Sequence, residues 1–170
     1  MIYIVGNGIT PTSSASFTAV ASGTGLKTML QVKPGATQFL KVIGWGISFD
    51  STTGNTPGKV ELIETDVAAT VTASVAGDIT KCDSEALSAG DPTTNIFAVG
   101  TTGTGYTASG EGSITTTRYL DGPMMLAPTG SYYFQIPLGQ ESVIQPGKFG
   151  RIRVLFGTTV NVICWMKLAA

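Results

Sequence analysis

The 170-residue chain contains no histidine. That absence removes the Ser-His-Asp triad, the Cys-His pair and every imidazole metal site. Charge is scarce as well. Asp, Glu, Lys and Arg make up 12% of the residues and the net charge is −1, against a usual charged share of about 25%. The basic residues are scattered, and the closest pair is Arg151 and Arg153. Without a basic stripe interleaved with aromatics, nucleic-acid binding and polybasic membrane attachment are not expected. No apolar run approaches the roughly 18 residues of a membrane helix. The opening Met1-Ile2-Tyr3-Ile4-Val5-Gly6 lacks the basic segment and long apolar stretch of a secretory signal, so synthesis in cytoplasm is expected. Two cysteines, Cys82 and Cys164, fit no CxxC pattern. Free thiols are the first expectation, with a long-range disulfide as the alternative.

Helical periodicity is almost missing; one turn over Cys82–Leu87 is the longest candidate. What remains is period two. Phe39, Ile43, Trp45, Ile47 and Phe49 alternate with Leu40, Val42, Gly44, Gly46 and Ser48, which predicts a long strand with its heavier face inward. The glycines within it suggest a bulge or a close backbone approach. Further strands are expected over 26–32, 59–65, 113–120, 131–136, 151–156 and 160–167. In the fifth of these Ile152, Val154 and Phe156 point inward and Arg151 and Arg153 outward. Gly157-Thr158-Thr159 has a hairpin length. Weaker candidates are 2–5, 15–21, 68–75 and 95–99, and Asn7-Gly8 is a possible turn after the first. Seven of the prolines fall between candidate strands; Pro137 sits at the end of one. About ten short strands in one domain of 1–170 predict an all-β, two-sheet antiparallel sandwich. A jelly roll is the first choice, since its long crossovers match the links 76–94 and 100–112. Residues 1–12 are read as a docking arm or an edge strand.

Motifs for chemistry are weak. Glu61 and Glu64 face opposite ways on one strand. A carboxylate pair assembled in space from Asp50, Glu111 or Asp121 is the remaining catalytic candidate. Gly54-Asn55-Thr56-Pro57-Gly58-Lys59 has the wrong spacing for a phosphate loop, lacks the following Ser or Thr, and precedes a strand. Gly100–Tyr106 reads as a flexible surface loop rather than a dinucleotide turn. Asp78 with Asp83, or Asp91 alone, offers calcium too few oxygens. No catalytic, cofactor or metal site is therefore assigned, and the chain is not expected to be an enzyme. Trp45 and Trp165 are expected in the core. Of the neighbours Tyr132 and Tyr133, one must face out as a candidate interface anchor. The interface candidates are Met1, Ile2, Tyr3, Ile4, Val5, Tyr106, Tyr132 and Leu168; either chain end is expected to be able to dock on a neighbour, and deleting residues 1 to 6 to abolish that docking while leaving the fold intact.

The run Val42-Ile43-Gly44-Trp45-Gly46-Ile47-Ser48-Phe49-Asp50 is followed by Val60-Glu61-Leu62, Thr104-Gly105-Tyr106-Thr107-Ala108 and Gln135-Ile136-Pro137-Leu138-Gly139-Gln140-Glu141. It ends with Arg151-Ile152-Arg153-Val154 and Val160-Asn161-Val162-Ile163-Cys164. Over residues 30 to 168 this layout resembles small β-sandwich proteins of tailed-phage virions. The resemblance implies a capsid decoration, or cement, protein on the outer surface of the head, bound to major capsid protein and often trimeric. It carries over no catalytic residue and no cofactor. The competing expectations are a carbohydrate- or receptor-binding head of a fibre or surface protein, a major capsid jelly roll, and an enzyme with a carboxylate pair. The major capsid reading calls for a basic arm, which the chain lacks.

Overall fold

A computed structural model describes residues 1–51, 56–82 and 93–170. The chain forms two antiparallel sheets packed face to face, as the alternating pattern requires. The strands are β1 (Ile2–Gly6), β2 (Val20–Ala21), β3 (Lys27–Val32), β4 (Leu40–Asp50), β5 (Gly58–Thr65), β6 (Thr70–Ala73) and β7 (Ile79–Lys81). They continue as β8 (Gly105–Gly110), β9 (Thr117–Leu126), β10 (Ser131–Gln135), β11 (Ser142–Ile144), β12 (Phe149–Leu155) and β13 (Asn161–Ala169). Helix among the described residues is limited to a 3-10 turn, Ala76–Asp78, and one α turn, α1 (Thr93–Ile96). The candidate turn over Cys82–Leu87 and the residues Asp83, Asp91, Gly54 and Asn55 lie wholly or largely outside the described residues.

The first sheet runs β10-β4-β13-β1-β7, with β11 beside β4 and β2 beside β13; the second runs β6-β8-β3-β12-β5-β9. Eight strands pair from the chain ends inward: β1 with β13, β3 with β12, β4 with β10, β5 with β9. A chain folded as one long hairpin and then wrapped into two sheets has this order, which is that of a jelly roll. Strands β6, β7 and β8 are additions between β5 and β9. They extend the second sheet beyond β3 and the first beyond β1.

Several expectations change. Within residues 1–12, Ile2–Gly6 is neither a free arm nor an edge, because β1 is paired on both sides, with β13 and β7. Asn7 does not turn the strand back. It carries the pairing with β13 onward through its side chain, whose Nδ2 donates to the Val162 carbonyl (3.0 Å) and whose Oδ1 accepts from the Cys164 amide (2.9 Å). Gly157-Thr158-Thr159 is not a hairpin, since β12 and β13 belong to different sheets. Phe156 and Val160 on either side of this corner are both buried in the core. Pro123 lies inside β9, where it is tolerated because β9 is the last strand of its sheet and its free side needs no N–H. The stretch 95–99 holds the end of α1 and two isolated bridges instead of a strand. The Gly100–Tyr106 stretch is not a loose loop. Thr104 is fully buried, and the Gly103 carbonyl accepts a hydrogen bond from Gln31 Nε2 (2.7 Å).

Strand β4 keeps the predicted alternation only in part. Lys167 of β13 faces Gly44, and Leu168 faces Val42, so Ile43 is an extra residue. Its insertion reverses the phase. Leu40 and Val42 point into the core before it, and Trp45, Ile47 and Phe49 after it, while Phe39 is exposed.

Arg151 lies on the outer face of the second sheet as expected, yet it is 0% exposed. Segments from the additions cover it. Its Nη1 donates to the Glu111 carbonyl (3.0 Å) and lies 3.4 Å from Glu111 Oε2, and its Nη2 donates to the Val67 carbonyl. Glu111 in turn accepts from the amide and hydroxyl of Thr28, both at 2.6 Å. Asp66 holds the same covering in place through the Thr115 hydroxyl and the Thr115 and Thr116 amides. These bonds hold its carboxyl well below the usual range, with the Thr115 side chain the largest cause.

Candidate functional site

Strand alternation sends Val162, Cys164, Met166 and Leu168 of β13 into the core and turns Ile163, Trp165 and Lys167 outward. Trp45 is a core residue as predicted; Trp165 is not, because it stands at an odd position of β13. Its neighbours in the same cross-strand row are Gly6 on β1 and Gly46 on β4, and Gly46 in turn faces Tyr133 on β10. Both glycines serve close approach. A Cβ on Gly46 would come within 2.8 Å of the Trp165 indole, so the ring lies on the bare backbone. Phe17 lies likewise on Gly6 and Gly8, where a Cβ would meet its ring at 3.1 and 3.0 Å. The Tyr133 and Trp165 ring centroids are 5.5 Å apart, inclined at 35°. Three aromatic rings thus cross the outside of four adjacent strands in one row.

Polar groups flank the row. Between Phe17 and Trp165 runs a groove of about 230 Å³ whose lining includes Asp78 and Thr80. Asp78 is mostly buried; its Oδ1 accepts from the Thr10 amide (3.2 Å) and its Oδ2 from the Val75 amide (3.0 Å). At the other end the Tyr133 hydroxyl donates to Gln135 Oε1 (3.0 Å).

A second feature is the edge of the first sheet. The Gly130 carbonyl accepts from the Phe49 amide, and the Ile136 amide donates to the Ile43 carbonyl. By the alternation of an antiparallel ladder, the backbone groups of Tyr133 and Gln135 then point away from β4. The strand reads Ser-Tyr-Tyr-Phe-Gln, with no charge, no proline and no bulge against β4. The other strands that end the two sheet orders are guarded. β7 is three residues long and ends in Lys81; β6 is four residues long with a break in register; β9 carries Pro123 and two bulges against β5.

The residues predicted for an interface divide. Tyr3 (1% exposed), Val5 and Leu168 are core side chains and cannot dock on a partner while the sheet is intact. Met1 and Ile2 are exposed, and Ile4 is half-buried on the outer face beside the groove. Tyr106 is half-buried and lines a separate groove with the 8–20 segment. Tyr132 faces inward: its ring packs on Trp45 at 5.1 Å and its hydroxyl is 3.4 Å from Asp121 Oδ2. Burial first, then the Asp121 charge, raises its pKa. The outward ring is its neighbour Tyr133, 58% exposed.

Of the candidate carboxylates, Asp121 and Glu111 are occupied separately. Asp121 accepts from Trp45 Nε1 (2.8 Å), and Glu111 holds Thr28 and Arg151. Glu61 pairs with Arg153 and Glu64 with Arg118. Among the described residues no three His, Cys, Asp or Glu side chains group to hold a metal ion, and no helix is long and apolar enough to cross a membrane. Cys82 is exposed and Cys164 buried, both as free thiols; burial pushes the Cys164 thiol up.

Comparison with known protein families, curated proteins and solved structures finds no match to this chain.

Proposed function

We propose that the chain is a structural virion protein of a tailed phage, a decoration protein that binds the outer surface of major capsid subunits as a homotrimer. The observation that carries this reading is β10, an aromatic edge strand with outward N–H and C=O groups and no charge, proline or bulge of its own. Proteins that stay alone in solution blunt such edges. One left open is suited to a strand from a neighbour, with the backbone supplying affinity and the side chains register. Low surface charge agrees with a life spent against other protein. The resemblance in layout to phage virion sandwiches supplies the partner. Repetition on a lattice turns a modest contact into firm attachment.

The test is electron microscopy of the virion that carries the chain, with Gln135→Pro as the variant. Gln135→Pro removes an outward N–H and no bond to β4. Density for the sandwich over the head, with a neighbour's strand beside β10, is expected, and the variant should leave the particle bare while keeping its own fold. Density on the tail or fibre only, or full occupancy by Gln135→Pro, would overturn the reading.

A further inference from the structure

We infer that the outer face of the first sheet is a binding site for a neutral oligosaccharide, seated on the row Phe17, Trp165, Tyr133. This inference does not depend on capsid attachment, which uses the β10 edge.

The floor of the row is bare backbone. Gly6 and Gly46 alternate with the rings along one cross-strand row. Each glycine lets a ring settle onto the sheet, as the 2.8 Å and 3.1 Å approaches of a hypothetical Cβ show. A ring that lies on the backbone turns its other face to solvent. Tyr133 is more than half exposed, with its ring centroid 5.5 Å from that of Trp165. The result is an aromatic strip along the sheet, with Tyr133 and Trp165 inclined at 35° and a groove between Trp165 and Phe17. The C–H faces of pyranose rings lie flat on such strips. A protein knob would need the hole that the glycines leave unwalled.

Polar groups frame the row. A pure lipid or protein-core contact would want no buried carboxylate at the groove. Asp78 lines it all the same, fixed by the Thr10 and Val75 amides, and each carboxylate oxygen keeps acceptor capacity for a sugar hydroxyl. Thr80 lies alongside it, and Gln135 stands at the opposite end with its carbonyl already engaged by Tyr133. Apolar walls with a few fixed polar groups are the usual make-up of a small-molecule site. On the same outer face Lys167 and Lys41 stand against Asp78 and Asp50, two charges of each sign. The face therefore selects for no net charge in its ligand.

The spacing favours a chain of sugars over a single one. The row crosses four strands, three interstrand gaps of about 4.8 Å each. That length seats several pyranose units, one on each ring.

The experiment titrates the full chain with the β-1,4-glucose, α-1,4-glucose, β-1,4-mannose and β-1,4-N-acetylglucosamine hexasaccharides, read by calorimetry and tryptophan emission. Only Trp165 of the two indoles is on the surface. At least one probe is expected to bind at millimolar concentration or below and to shift the emission. Trp165→Ala should weaken it by roughly tenfold or more, and Tyr133→Ala and Asp78→Asn by several-fold, with unchanged circular dichroism. Tyr133→Ala, at an exposed ring, keeps the test valid if Trp165→Ala fails to fold. Silence from all four probes, or binding undiminished in Tyr133→Ala, overturns the inference. So does self-association through this face, seen as an oligomer that Tyr133→Ala dissolves without any probe binding.

Discussion

Arg151 shows how much a single side chain can decide. Its guanidinium is sealed beneath the 66–69 and 111 segments, and burial lowers its pKa to about 10, the Glu111 charge working the other way. It therefore stays protonated at neutral pH, with Nη1 and Nη2 bonded and Nε without a partner among the described residues. A buried charge holds its place only through its partners, so removing one end of such a pair is costly. Arg151→Ala should destabilise the fold by on the order of 3 kcal/mol. Arg151→Met, which refills the volume without the charge, should recover part of that loss. Denaturant midpoints at constant slope are the measurement, and equal losses for the two variants would contradict the packing share of the argument. Strand alternation placed Arg151 on its correct face. It could not show that residues about 40 and 84 positions away in sequence fold over that face. The same gap explains Trp165. A tryptophan among Val162, Cys164, Met166 and Leu168 reads as core by company, and only counting its parity against those four neighbours would have turned it outward. Gly46, which makes its seat, reads in the sequence as a sign of a bulge or a close backbone approach; the ring it carries is invisible without the register.

At the scale of elements, the bulge at Ile43 is the sharpest lesson. One inserted residue lets Leu40 and Val42 share the core with Trp45, Ile47 and Phe49, which no unbroken alternation allows. Most strands were legible because each carries its own period-two pattern. β7 and β11 were not, being three residues each and too short to show a period, and β8 was not either: it falls in the expected link 100–112, and Gly-Tyr-Thr-Ala-Ser-Gly has no apolar alternation to mark it. The terminal strand was legible as a strand and misjudged in rank, because pairing on two sides is a property of its neighbours β13 and β7. That rank has a measurable consequence. β1 places Tyr3 and Val5 in the core, worth about 1.5–3 kcal/mol each in burial, and its loss strips backbone partners from two further strands. Together these approach the whole stability of a typical domain, about 5–15 kcal/mol. Deleting residues 1–6 should abolish the cooperative thermal transition and the near-ultraviolet circular dichroism signal. A truncated chain that still melts cooperatively would show that β1 is dispensable.

For the molecule as a whole, the wrapped-hairpin order brings the chain ends together. The Met1 ammonium donates to the Ala170 carbonyl at 3.0 Å, and the Ala170 amide to the Met1 carbonyl at 3.1 Å. The pairing of β1 with β13 thus closes a loop spanning nearly the entire sequence. Contacts so distant in sequence are the slowest to form, because chain entropy is lost before the contact rewards it. Joining the ends removes that delay without touching a side chain in the core. New ends belong at Leu138-Gly139, where Leu138 is 97% exposed and Gly139 has φ +86° in a turn between β10 and β11. Exposed tips of this kind tolerate cutting. A circular permutant with a short linker from Ala170 to Met1, opened after Leu138, should keep the wild-type near-ultraviolet spectrum. Its β1–β13 pair becomes a local hairpin, so it should refold faster by stopped-flow tryptophan fluorescence. Unfolding rates should change little, since the native contacts are the same. An unchanged refolding rate would place the slow step elsewhere, in the pairing of β3 with β12 or of β4 with β10, neither of which the permutation shortens to a neighbouring pair.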